Sequence, residues 1–116
     1  MIQRTNFTMQ DENIRIVRGD SLSFNIVMYG AIQSLDGVFL TVKKDFNAEP
    51  LFQKSFEDGV SEVETGIYAV RVAPEDTAEL EAGRYYYDLK VVKDDDVQTL
   101  ERGIFEIVYN VTEVEE

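Results

Sequence analysis

Hydrophobic and polar residues alternate along most of this 116-residue chain. In the segment SLSFNIVM, residues 21–28, every second residue from Leu22 to Met28 is apolar, whereas Ser21, Ser23 and Asn25 occupy the other phase. The same period of two occurs in DGVFLTVKKD (36–45), TGIYAVRVAP (65–74) and GRYYYDLKVVKD (83–94). Because successive side chains of a strand point to opposite faces, this pattern predicts half-buried antiparallel strands.

Two further segments depart from simple alternation. The apolar residues of GIFEIVYNV (103–111) are out of phase with Leu100, which predicts a bulge or bend near Gly103. In LFQKSFE (51–57) the apolar residues fall on both phases, which predicts a strand at the edge of a sheet.

One stretch has a helical pattern. Pro74 suits a first helical turn, acidic residues follow it, and Gly83 ends the segment, so we expect about two helical turns near residues 75–81. Leu80 is expected to face the core. The acidic residues expected on the exposed side are Glu75, Asp76, Glu79 and Glu81.

Seven or eight short strands separated by turn signals predict a single all-β domain over residues 1–116, an immunoglobulin-like antiparallel β-sandwich. Residues 1–10 and 111–116 are expected to be flexible or to serve as docking arms. Gly83 lies two residues before Tyr85, and Tyr87 two after it. This spacing resembles the tyrosine corner of immunoglobulin-like domains, with Tyr87 at the position of a cysteine in antibody domains.

The composition excludes most catalytic chemistry. The chain has no cysteine and no histidine, which removes disulfides, thiolate metal sites and the Ser-His and Cys-His nucleophile pairs. We therefore expect no enzyme activity, no catalytic residue, no cofactor and no metal. The first residues lack an apolar run of signal-peptide length, so synthesis in a reducing cytoplasm without a signal peptide is expected.

The formal net charge of −12 bears on partners. Such a charge repels nucleic acid and anionic lipid, so neither nucleic acid nor a membrane is an expected partner. It suits docking onto a basic protein surface, or simply a solvated acidic exterior.

Three groups of residues invite a functional interpretation beside a structural one. Asp94–Asp96 could hold calcium, but an acidic run between two strands is typical of a hairpin tip. Arg18–Asp20 matches an integrin-binding tripeptide, but it also suits a tight turn before a strand. Phe39, Phe46 and Tyr86 could stack on sugars or anchor a partner, or they could face neighbouring strands or a subunit interface.

An ordered set of segments over residues 12–113 resembles small phage and prophage virion structural proteins, and it is similar to the N-terminal module of phage baseplate upper proteins. The segments are IRIVRGDSLSFNI, DGVFLTVKKD, PLFQKSFEDGV, TGIYAVRVAPEDTAELEAGRYYYDLKVV and VQTLERGIFEIVYNVTE. Baseplate upper proteins continue into long C-terminal regions that trimerise and carry receptor-binding proteins, whereas this sequence ends at Glu116.

The resemblance implies a non-enzymatic, immunoglobulin-like subunit of a tailed-phage or prophage virion, acting by protein–protein docking in the baseplate, tail, neck or head. Its expected partners are other virion proteins, as a homo-oligomer or docked on a larger assembly. The alternative is a carbohydrate-binding or adhesion module of a bacterial protein, which would need two or three exposed coplanar rings.

Overall fold

Two β-sheets pack face to face in a computed structural model that describes residues 2–4, 10–28 and 34–112. The strands, in chain order, are β1 (Ile2–Arg4), β2 (Gln10–Asp11), β3 (Ile14–Val17), β4 (Leu22–Met28), β5 (Gly37–Lys43), β6 (Pro50–Lys54), β7 (Val60–Glu64), β8 (Ile67–Val72), β9 (Gly83–Lys93) and β10 (Asp96–Val108). The helix α1 (Pro74–Thr77) lies between β8 and β9.

The first sheet has the order β1-β4-β8-β7, and the second has the order β2-β10-β9-β5-β6, with β3 also paired to β10. The strands β4, β8 and β7 correspond to B-E-D of immunoglobulin domains, and β10, β9 and β5 correspond to G-F-C, so the predicted all-β sandwich is confirmed. As predicted, the segment containing Phe52 is an edge strand, β6.

The N-terminal segment differs from the prediction of seven or eight antiparallel strands. It supplies three short strands, and their pairings with β4 and β10 are parallel, whereas the other strand pairs are antiparallel. A period of two predicts a strand but says nothing about the direction of its partner. The predicted arms at 1–10 and 111–116 lie in large part outside the described residues, although residues 2–4 and 10 take part in strand pairing.

The core is formed largely by the inward phase of β4, β5, β8, β9 and β10, as the alternation predicts. Val38, Leu40 and Val42 of β5 are completely buried, and the rings of Tyr87 and Phe105 meet edge to face at 6.3 Å. Leu80 packs against this core from the end of the helical segment, as predicted.

The tyrosine corner is present. The hydroxyl of Tyr85 donates a 2.6 Å hydrogen bond to the backbone oxygen of Glu81, four residues earlier, and so fixes the connection into β9. Tyr87, at the position of the missing cysteine, places its hydroxyl 2.9 Å from both the backbone oxygen of Glu12 and Oε1 of Glu101. This hydroxyl joins the N-terminal segment to β10 within the second sheet, whereas the antibody disulfide at this position connects the two sheets.

The helix is shorter than predicted, with four residues instead of about two turns. Acidic residues favour its first turn, but the last turn has no basic residue. Further acids follow at Glu79 and Glu81, where the negative end of the helix dipole disfavours them.

The predicted irregularity in β10 exists, but the register shift lies between Thr99 and Glu101 and not at Gly103. Gly103 has a different role. A Cβ atom there would lie 1.8 Å from the backbone oxygen of Glu12, so only glycine lets the N-terminal segment cross at this point.

Candidate docking face

The exposed side of the second sheet is built from alternate residues of β5, β9 and β10. Strand register places Lys43 beside Tyr86 and Tyr86 beside Ile104. Two residues further along β9, Asp88 lies opposite Arg102. Because residues directly opposite one another share a face of the sheet, these side chains form one continuous outer surface.

We call this surface the basic face. Among the described residues it carries the cations Arg15, Lys43, Arg84, Lys90 and Arg102 and the carboxylates Asp11, Asp88 and Glu106. The whole sequence holds 11 basic and 23 acidic residues, so the charge of this face is opposite in sign to that of the chain. A local excess of one sign steers and orients partners of the other sign.

Within the described part of the chain, most of these cations form no ion pair. Nε of Arg15 lies 3.7 Å from Oε1 of Glu106, but both side chains are exposed, and such a pair adds little stability. The other four cations form no ion pair with any carboxylate that the structure describes. Their charge is therefore available to a partner.

An aromatic pair stands at the rim of the basic face. Phe46 lies in the loop between β5 and β6, where Oδ1 of Asp45 accepts a hydrogen bond from the backbone two residues on and closes a small turn. The rings of Phe46 and Tyr86 lie 4.5 Å apart between centroids, at 31°. Phe46 is 67% exposed and Tyr86 37%, whereas the third predicted aromatic, Phe39, is half-buried.

An open depression of about 350 Å³ lies between the aromatic pair and the cations Lys43, Lys90 and Arg102. Its threonine hydroxyls are already engaged: Thr41 accepts a 2.8 Å hydrogen bond from a glutamine amide of β6, and Thr99 accepts one of 2.6 Å from Lys90. The volume is at the low end for small-molecule pockets. Cations around exposed aromatic rings are, in contrast, typical of protein interfaces.

The tripeptide Arg18–Asp20 forms the tight turn between β3 and β4. Gly19 has φ of +82°, which favours glycine, and its N–H donates to Oγ1 of the buried Thr77 at 2.9 Å. The guanidinium of Arg18 lies 5.6 Å from the ring centre of Tyr109. Only Asp20 of the three is exposed, which supports the structural interpretation of the tripeptide.

Asp94–Asp96 lies at the tip of the hairpin between β9 and β10, as the hairpin interpretation predicts. The backbone N–H of Asp94 donates to Oδ2 of Asp36 at 2.6 Å. No group of three or more metal-binding side chains occurs in the described part of the chain. Nor does any helix among residues 2–4, 10–28 and 34–112 have the length and apolar character needed to cross a membrane.

The prediction that Asp76 is exposed on the helix was wrong. Oδ2 of Asp76 lies 2.7 Å from Nζ of Lys54 and accepts a second hydrogen bond, also 2.7 Å, from the backbone N–H of Ala73. Burial works against the charge of Lys54, but the hydrogen bonds to Asp76 and to Asp58 outweigh it, so the pKa of Lys54 lies above its ordinary value. The other helix acids, Glu75, Glu79 and Glu81, are exposed as predicted.

One acidic residue of β10 departs from the outward position that alternation predicts for a charged side chain. Glu101 instead points inward and is only 6% exposed, because the register shift before it places it on the same side as Leu89. Alternation alone could not reveal this inversion. The burial of Lys54 was not predicted either, because its carboxylate partners lie outside its own strand.

No protein-family model matches the chain, and no curated protein matches it in sequence. Among solved structures, it is similar to the extracellular domain of the voltage-gated sodium channel beta4 subunit, which forms parallel homodimers and has a role in cell–cell adhesion. The identity is 10% and the TM-score 0.45, with 87% of this chain and 93% of the other covered. A similarity this distant carries no conclusion about partners.

Proposed function

We propose that this chain is a non-enzymatic docking subunit of a tailed-phage or prophage virion, and that its basic face binds an acidic protein surface. The observation that carries the docking function is the basic face itself, which places five cations and an exposed phenylalanine together in a chain of net charge −12. The virion assignment rests on the ordered sequence segments of residues 12–113.

Electrostatics favours an acidic protein over the other classes of partner. Nucleic acid carries a dense negative charge along its whole length, which the acidic remainder of the chain repels. A protein partner can confine its acidic residues to the patch that meets the basic face. A carbohydrate module would present neighbouring rings in one plane, whereas Phe46 and Tyr86 stack on each other and cover part of each other's surface. An exposed aromatic ring surrounded by cations suits a protein partner, since aromatic and arginine residues supply most of the affinity at interfaces.

Virion particles from the organism that encodes the chain provide the test. The particles are purified on a density gradient, and mass spectrometry measures the ratio of this chain to the capsid and tail proteins. Wild-type protein should co-sediment at a fixed ratio. The double variant Lys90→Glu/Arg102→Glu should be incorporated at least about tenfold less, because each reversal turns an attraction into a repulsion.

The matched control is Lys44→Glu/Arg71→Glu, which changes the net charge equally at two residues outside the basic face. Because Nζ of Lys44 lies 5.0 Å from the ring centre of Tyr85, thermal denaturation first checks that the control folds like the wild type. Its incorporation should equal that of the wild type. Absence of the wild-type chain from intact particles would overturn the virion assignment. Retention of the purified chain on a polysaccharide column, lost in Phe46→Ala, would favour the carbohydrate-binding alternative.

A further inference from the structure

One end of the molecule is strongly acidic. Residues 34–36, which precede β5, lie there beside the turns after β7 and β9, and we call this surface the acidic end. Among the described residues it carries Asp36, Glu62, Glu64, Asp94, Asp95 and Asp96, all exposed, and the single cation Lys93.

Hydrogen bonds between these turns hold the acidic end together. Oγ of Ser34 donates to Oε2 of Glu62 at 2.6 Å, and Nζ of Lys93 donates to the backbone oxygen of Ser34 at 2.9 Å. The bond from Asp94 to Asp36 adds a third link. The hairpin tip is therefore tied to the turns beside it, and its carboxylates form a preorganised surface.

The acidic end also exposes apolar surface. Val63 is 59% exposed and lies between Glu62 and Glu64 along β7. Val97 is 57% exposed and pairs with Val92 on the outer side of the second sheet, so it borders both the acidic end and the basic face. The basic face shows the opposite combination, with Phe46 exposed among cations. Two surfaces of opposite charge, each with exposed apolar side chains, have the complementarity of a protein interface.

We propose that the partner of the basic face is the acidic end of a second copy of this chain. The inference rests on the proposed docking function and names the partner. A two-fold dimer through two basic faces would oppose two surfaces of the same net positive charge, since each carries five cations against three carboxylates, and this is repulsive. Contact between unlike surfaces is head-to-tail, and repetition of it produces a closed ring or an open filament.

Sedimentation velocity on the purified chain tests this, at about 50 mM and about 500 mM salt. At low salt, the average sedimentation coefficient of the wild-type protein should rise with protein concentration. At high salt it should fall to the value of the monomer. The face variant Lys90→Glu/Arg102→Glu and the end variant Asp95→Lys/Asp96→Lys should each weaken association at least about tenfold. Glu75→Lys/Glu79→Lys, an equal charge change near α1, is the matched control for the end variant and should associate as the wild type does.

Mixing distinguishes a head-to-tail contact from general charge repulsion. The face variant has an intact acidic end and the end variant an intact basic face, so an equimolar mixture should regain association that neither shows alone. A mixture that stays monomeric overturns the head-to-tail contact. So does wild-type association that survives either reversal.

A wild-type chain that is monomeric at every concentration also overturns the inference, but it leaves the docking function to the particle experiment. In that case, face-dependent incorporation into particles identifies a different acidic protein as the partner. Binding of duplex DNA through the basic face, lost in the face variant, overturns both proposals.

Discussion

Nζ of Lys54 lies 2.7 Å from Oδ2 of Asp76, and the side chain of Lys54 is only 2% exposed. A buried cation therefore joins the edge strand β6 to α1, the helix that follows the last residue of β8 and precedes β9. The same ammonium reaches Oδ1 of Asp58 at 3.1 Å, but that carboxylate is 64% exposed. The two carboxylates therefore contribute unequally, because the buried partner is shielded from water and the exposed one is not.

Replacing Asp76 with alanine should lower the free energy of unfolding by about 2–3 kcal/mol, since it leaves a buried charge unpaired and removes the hydrogen bond to Ala73. Asp58→Asn should cost less than about 1 kcal/mol. Urea denaturation of both variants measures the difference. Equal losses would contradict the assignment of Asp76 as the main partner of Lys54.

Tyr85→Phe should destabilise the domain by about 1–2 kcal/mol, because the backbone oxygen of Glu81 loses its 2.6 Å hydrogen bond. Tyr86→Phe is the matched control, since its hydroxyl makes no hydrogen bond to the described residues. Thermal denaturation of the two variants should separate them clearly. A Tyr86→Phe variant as unstable as Tyr85→Phe would show that the corner hydrogen bond is not the cause.

Gly103→Ala should cost about 3 kcal/mol or more, because the added methyl group would meet the backbone oxygen of Glu12 at 1.8 Å and the backbone on both sides must move. Hydrogen exchange should show lost protection in β3. Arg102→Ala, one residue earlier on the outer surface, should change stability by less than about 0.5 kcal/mol. Preserved exchange protection of β3 in Gly103→Ala would refute the close-approach explanation.

Stability should fall above about pH 10. Burial disfavours the phenolates of Tyr68, Tyr85 and Tyr87, so the pKa of each lies above its ordinary value, and nearby carboxylates reinforce the shift. The pKa of Lys54 is also raised. The unfolded chain loses these protons from about pH 10, whereas the folded protein keeps them to higher pH, so the free energy of unfolding decreases as pH rises.

Urea denaturation between about pH 8 and about pH 11 measures this dependence, with phenolate absorbance recorded in parallel. The buried tyrosines should ionise together with unfolding. A free energy of unfolding that is constant over this range would contradict the burial of these groups.

The sequence predicted the sandwich well because its central strands bury one face each, so that alternation in β4, β5, β8 and β9 reports directly on the core. It predicted the tyrosine corner because the spacing from Gly83 to Tyr87 is local. It did not predict the partners of Lys54, since the pairing with Asp76 joins residues 22 apart on different elements. It identified Phe46 and Tyr86 as exposed aromatics, but their stacking and the cations gathered beside them depend on strand order and register.

The position of β10 also has a consequence for synthesis on the ribosome. This last strand of the described chain pairs with β9 and with the N-terminal strands β2 and β3, and the backbone N–H of Ile104 donates to Oδ1 of Asn13, 91 residues earlier. While β10 is still inside the ribosome, β9 and the N-terminal strands β2 and β3 lack the strand with which they pair. Contacts over such sequence distances form slowly. The second sheet is therefore completed only after β10 has left the ribosomal tunnel, and until then the exposed edge of β9 is where a chaperone would be needed.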